Sequence, residues 1–218
     1  MKKFELTSEF VTFLGKTLFR IKALVSFGDV AEGELGGFIE RENNLDQSGD
    51  AWVYGDAWVY GDAQVCGDAQ VFGNAWVCGD ARVYGDAWVY GDAQVCGDAR
   101  VYGDARVYGD AQVCGDAQVF GNAWVCGDAQ VCGDAQVFGN AWVQNCRDYS
   151  ATSCFGSENR TTTFFRTKDG GISVRCGCFY GTLREFREKV KERHGDSRLA
   201  KEYLMLADLM EFRLSKDE

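Results

Sequence analysis

From Gly49 to Gln144 the chain alternates small apolar and variable positions without a break, as sixteen copies of Gly-Asp-Ala-x-Val-x in which Asn replaces Asp at Asn74, Asn122 and Asn140. Ala-x-Val-x is a piece of period-two strand. Gly-Asp is a corner, because Gly carries no Cβ and Asp or Asn tolerates the left-handed region. A six-residue period is too short for a helix pair, and identical units repeated head to tail stack as coils whose strands pair in parallel. With three corners per turn, three hexapeptides make a triangular coil of eighteen residues. Ala and Val point inward, and the sixteen Val from Val53 to Val143 each contribute roughly 1.5 kcal/mol on burial.

The unit Val-x-Gly-Asp-Ala-x, with an aliphatic residue, three variable ones and then a small one, resembles the motif of left-handed parallel β-helices such as the hexapeptide transferases. The left hand is implied by that resemblance, because right-handed crossovers are the rule elsewhere. Two flanking stretches extend the likeness over the whole chain: Leu35-Gly36-Gly37-Phe38-Ile39-Glu40 before the repeats, and Cys176-Gly177-Cys178-Phe179-Tyr180-Gly181-Thr182 after them. Together they resemble bacterial and phage or prophage proteins labelled hexapeptide-repeat or polymer-forming, which implies context and no particular activity.

The flanks have their own patterns. Residues 1–48 read as an N-terminal β-rich cap: Phe10 to Leu14 and Leu18 to Val25 flank Gly15-Lys16-Thr17 as a hairpin, and Gly33 to Glu40 leads into the first coil. After the 49–144 solenoid, residues 145–160 read as a polar linker. Residues 161–218 read as a compact β-β-α-α module. In it Thr162 to Thr167 and Ile172 to Cys176 form a hairpin, and Thr182 to Glu185 is a capping box opening a helix that stops at Gly195. A second helix begins near Asp196-Ser197, with Leu199, Tyr203, Leu206 and Met210 as its stripe and Leu204, Met205 and Leu209 widening it beyond what one contact needs. The fold class is thus mainly β, a left-handed parallel β-helix with an N-terminal β cap and a small C-terminal module.

Residues eighteen apart stack, which sorts the variable positions into faces. One face carries Trp52, Gln70, Trp88, Arg106, Trp124 and Trp142 beside Tyr54, Phe72, Tyr90, Tyr108 and Cys126. A second carries Trp58, Trp76, Gln94, Gln112 and Gln130 beside Tyr60 and the ladder Cys78, Cys96, Cys114 and Cys132. The third carries Gln64, Arg82, Arg100, Gln118 and Gln136 beside Cys66, Tyr84, Tyr102, Phe120 and Phe138. Stacked ladders stabilise in-register strands by themselves. A continuous aromatic face nevertheless exceeds what monomers leave in water, so the face through Trp52, Tyr54, Phe72, Trp88, Tyr90, Arg106, Tyr108, Trp124 and Trp142 is expected to be covered, first of all by another copy of the chain or else by a protein partner.

Charge and chemistry narrow the classes further. The array holds thirteen Asp against Arg82, Arg100 and Arg106, which equals the chain's net charge of −10; such an acidic rod is not expected to bind nucleic acid directly. It would suit an acidic decoy for basic proteins. The N-terminus has no apolar run of signal-peptide length, no later stretch approaches a membrane span, and six of the ten Cys simply occupy the last repeat position; a cytoplasmic, reduced, non-membrane protein is expected. Hexapeptide acyltransferases use a solenoid His and the related carbonic anhydrases three, whereas the single His here, His194, lies outside the repeats. The expectation is therefore no catalysis, no cofactor and no metal, with an atypical acyltransferase as the enzymatic alternative. The Cys ladder is close enough for disulfides or a soft metal but presents parallel ligands. The corner column Asp62, Asp80, Asp98, Asp116 and Asp134 could bind Ca²⁺ but is read as solvated carboxylates accepting corner amides. The Cys146, Cys154, Cys176, Cys178, His194 set lacks the paired Cys-x2-Cys knuckles of a zinc site and is read as buried thiols.

Overall fold

The structure is a computed structural model that describes residues 2–157 and 159–215. Strands β1 (Phe4–Phe13) and β2 (Lys16–Ala23) form the expected hairpin, turning at Leu14 and Gly15, both with positive φ. Strand β3 (Leu35–Ile39) pairs antiparallel with β2 on one side and parallel with Trp58–Val59 on the other. It is the seam at which a hairpin becomes a solenoid.

The solenoid accordingly begins at Leu35, one coil before the boundary expected at residue 49. Ile39 pairs with Val59 and Leu45 with Val65, twenty residues apart, whereas every later rung pairs at eighteen. The two extra residues fall between Leu45 and Val53. There the buried Lys3 ammonium donates to the carbonyls of Ser48, Gly49 and Ala51, so the longer corner is held by a cation from the N-terminus. The coil escaped the repeat pattern because its inward residues are Ile39 and Leu45 rather than Val, and because its strand is followed by a short 3-10 turn at Glu42–Asn44.

Sixteen short strands follow, from β4 (Trp52–Val53) to β19 (Trp142–Val143), one per hexapeptide. They form three parallel sheets, of which one continues through β3 into the N-terminal hairpin. Every repeat Ala and Val is buried, and the amides of the variable residues bond to the carbonyls one coil on, as from Trp88 N to Ala105 O at 2.9 Å. The corner glycines need their residue type. Gly79 has φ 72°, and a Cβ there would sit 2.9 Å from the amide nitrogen of Gly97 in the next coil.

The far end is closed by a module with more strands than the sequence announces. Strands β20 (Tyr149–Phe155), β21 (Arg160–Arg166), β22 (Ile172–Cys176) and β23 (Phe179–Thr182) form one antiparallel sheet, followed by α1 (Leu183–His194) and α2 (Arg198–Leu214). The order is β-β-β-β-α-α, and the expected linker at 145–160 contains β20. As an edge strand β20 buries little, so its polar Ser and Thr conceal it. Phe165 enters the solenoid core and meets the Phe138 ring at 5.9 Å. The last coil's open amides are met by side chains: Gln136 N donates to Thr163 Oγ1 at 3.1 Å and Gln144 N to Asp148 Oδ2 at 2.9 Å. Thr182 and Glu185 form the capping box at the start of α1.

Candidate interaction face

The stacking of residues eighteen apart is as expected: Trp88 pairs with Gln70 and Arg106, and Trp124 with Arg106 and Trp142. The exposure of that face is not. Trp52 is wholly buried within the chain, edge-on to Phe27 at 5.4 Å and Phe4 at 6.2 Å, so it belongs to the core. The N-terminal hairpin also covers the second face, where Phe13 lies against Trp58 and Trp76 at 5.0 and 5.1 Å. On the third face Tyr84, Tyr102, Phe120 and Phe138 stack and run into Tyr180 of the C-terminal module. On the first face, expected to be covered by another copy, it is the chain's own ends that cover Trp52, through Phe4 and Phe27, and reach Trp124, through Lys168.

What stays open is the middle of the first face. The Arg106 guanidinium lies between Trp88 and Trp124, 4.8 and 5.3 Å from the ring centroids, and the Lys168 ammonium covers Trp124 at 4.1 Å while donating to Asn122 O. Alongside runs the column Phe72, Tyr90, Tyr108, with centroids 4.8 Å apart at each step, tied to the Trp column by the edge contacts Phe72–Trp88 and Tyr108–Trp124. Tyr54 meets Phe72 edge-on. Partial burial raises the Tyr90 and Tyr108 phenols above their ordinary range, so both remain neutral donors at physiological pH. Trp88, Arg106, Trp124, Tyr90 and Tyr108 are half-buried, and Trp142 is exposed. A shallow groove flanks the row, lined by Asp68, Asp86 and Asp104 together with Trp88 and Arg106. The surface thus combines flat rings, one clamped cation and a line of carboxylates, a composition suited to a protein surface.

Five segments, 63–79, 75–91, 93–109, 99–115 and 111–127, match the family model of the YdcK beta solenoid repeat. All lie inside the hexapeptide array, and four of them cover parts of the Trp88 to Trp124 row. The array is a β-solenoid repeat. No curated protein matches the chain.

Other candidate chemistry is spread apart or neutral. The column Cys78, Cys96, Cys114 and Cys132 lies between Tyr60 and Tyr149, and burial followed by its Cys132 and Cys96 neighbours pushes the Cys114 thiol up to about 11. Burial raises the Cys96 thiol as well, so these two central thiols are protonated at neutral pH and poor nucleophiles. Cys176, Cys178 and His194 line one cavity of about 230 Å³ with Phe186, Val190 and Tyr203, and the His194 ring lies nearly parallel to Tyr203. Cys176 bonds to Thr162 Oγ1 instead of converging on His194. Among the described residues no group of three or more His, Cys, Asp or Glu is placed to hold a metal, and no helix is long and apolar enough to cross a membrane.

Proposed function

We propose that the protein is a non-catalytic structural and interaction solenoid, whose open row of Trp88, Arg106, Trp124 and Trp142 binds a protein surface. The supporting observation is that both chain ends cover aromatic rings elsewhere, yet on this row only Lys168 reaches in, over Trp124, and Trp88, Arg106 and Trp142 keep exposed surface, with the Arg clamped between two indoles. Buried Trp, Tyr and Arg dominate the energetics of protein contacts, and ordering a side chain in advance lowers the cost of binding. The sheet hydrogen bonds that position the row also make it rigid.

The test is a pull-down with the full chain against Trp88→Ser and Trp142→Ser. Other proteins retained by the wild type and lost from both variants at unchanged thermal stability support the reading; identical capture of other proteins by all three refutes it. A second reading uses the exposed column Asp68, Asp86 and Asp104 as a mimic of phosphate spacing, and predicts capture of basic proteins that collapses with added salt and ignores the Trp changes.

A further inference from the structure

The largest unpartnered apolar side chains of the C-terminal module lie on one stripe of α2. Met205, Leu209 and Phe212 are 72, 56 and 84% exposed and are spaced four and three residues apart, on the side opposite the buried Tyr203, Leu206, Met210 and Leu214. The helix needs none of the three for its own packing. Three such side chains in a row are unlike the scattered apolar residues of an ordinary surface.

We infer that this stripe is a homodimer interface in which α2 packs antiparallel against α2 of a second copy. The pairing is self-complementary. With the two-fold axis level with the Asp208–Leu209 step, Met205 stands opposite Phe212 of the second copy, and the two Leu209 side chains meet across the axis. Glu202 and Arg213 lie on the same flank of the helix, and antiparallel pairing brings the same flanks together. Glu202 of one copy then lies within about two residues, roughly 3 Å along the axis, of Arg213 of the other. The other flank carries Asp208, which would face its own copy, but Arg187 of α1 already holds that carboxylate at 2.7 Å and Glu211 at 2.7 Å. Among the described residues Glu202 meets Arg198 at 3.4 Å, and Arg213 donates to the Cys146 carbonyl at 3.4 Å, long contacts that leave both able to turn toward the second copy.

The area is sufficient. At about 200 Å² per side chain the three residues expose roughly 400 Å² per copy, so about 800 Å² across the pair. Adding the rim of Glu202 and Arg213 brings the contact to about 1,000 Å², the lower bound for a specific interface. A dimer of this kind would carry two solenoid faces in one particle, and two linked faces bind a repeated partner more tightly than one.

The experiment is light scattering and sedimentation of the full chain from about 1 to 100 μM, with Phe212→Glu, Leu209→Glu, Glu202→Arg, Arg213→Glu, the double exchange of the last pair, and Trp88→Ser. The expected result is a particle of twice the 24.2 kDa chain mass. Phe212→Glu and Leu209→Glu should each raise the dissociation constant at least about 100-fold, without lowering the melting temperature measured at dilutions where the wild type is itself monomeric. Each single charge reversal should weaken the dimer and the double exchange restore it, while Trp88→Ser leaves it intact. A wild type that stays monomeric throughout overturns the inference, as does an oligomer that survives Phe212→Glu. Loss of association with Trp88→Ser alone would assign self-contact to the solenoid face and overturn the helix interface.

Discussion

Trp52 is the residue on which the N-terminal module's attachment turns, and its truncation has a size that the structure sets. The ring is fully buried, contacts Phe4 and Phe27 edge-on, and leaves no room at Gly36, where a Cβ would fall 2.8 Å from Trp52 Cζ2 and 2.5 Å from Val53 O. The gap would be walled by the Phe4 and Phe27 rings and the Gly36 backbone, so Trp52→Ala is expected to cost about 3–5 kcal/mol, as for other buried aromatic truncations. Trp52→Phe separates packing from polarity. The indole Nε1 is buried without a hydrogen-bond partner, and an unmet donor costs about 1–3 kcal/mol. Phe removes that donor and keeps a ring, so its loss of packing is largely offset and a net change within about 1.5 kcal/mol is expected. Urea unfolding followed by circular dichroism gives both values. Hydrogen exchange at Phe4–Phe13 and Lys16–Ala23 shows whether the hairpin opens before the solenoid. A Trp52→Ala loss below about 1 kcal/mol, or equal losses for the two variants, would refute this account of the first coil.

Deleting residues 97–114 removes one whole coil while keeping every column in register, so the shortened chain should fold with a rod shorter by about 4.8 Å in solution scattering. Deleting only 97–102 shifts each later residue by one face and takes the Trp88–Arg106–Trp124 row apart; similar cooperativity and partner capture in both deletions would contradict the face assignment. Gly79→Ala forces a Cβ against the Gly97 backbone at a left-handed φ and should lose roughly 2 kcal/mol or more by denaturant titration, whereas Gly133→Ala, whose Cβ would meet nothing within 4 Å, should lose only the roughly 1 kcal/mol of backbone strain. Asp46 is held below the usual carboxylate range, first by the Ser48 backbone amide and then by the Ser48 hydroxyl and Lys3. Its contribution is therefore present above the unfolded pKa near 4 and is lost as pH falls through the lower folded value. Asp46→Asn should flatten the melting temperature between about pH 5 and 2, and an unchanged acid slope would count against the bond.

Much of the solenoid is legible residue by residue. A period of six with Gly at each corner leaves few ways to bury Ala and Val, and the coil length, the three faces and their stacked columns all come from local chemistry repeated. The first coil is not legible, because Ile39 and Leu45 perform the Val role at a twenty-residue spacing that only pairing with Val59 and Val65 reveals. Strand β20 is hidden for a related reason, since an edge strand needs few apolar residues and its partner β21 supplies the hydrogen bonds. The exposure of the candidate face lay further out of reach. Trp52 and Trp88 occupy the same repeat position with the same neighbours, and yet Phe4 and Phe27 bury one while the other stays open.

By itself, then, the sequence determined the repeat geometry, the inward Ala and Val, and the order of the columns, because each depends on residues no more than one coil apart. The tertiary structure alone decided which aromatic rings are covered, where the solenoid begins, and which side of α2 stays bare. Those outcomes depend on where the two ends of the chain fold back onto the rod, and burial by a distant segment leaves no periodic signal in the segment that is buried.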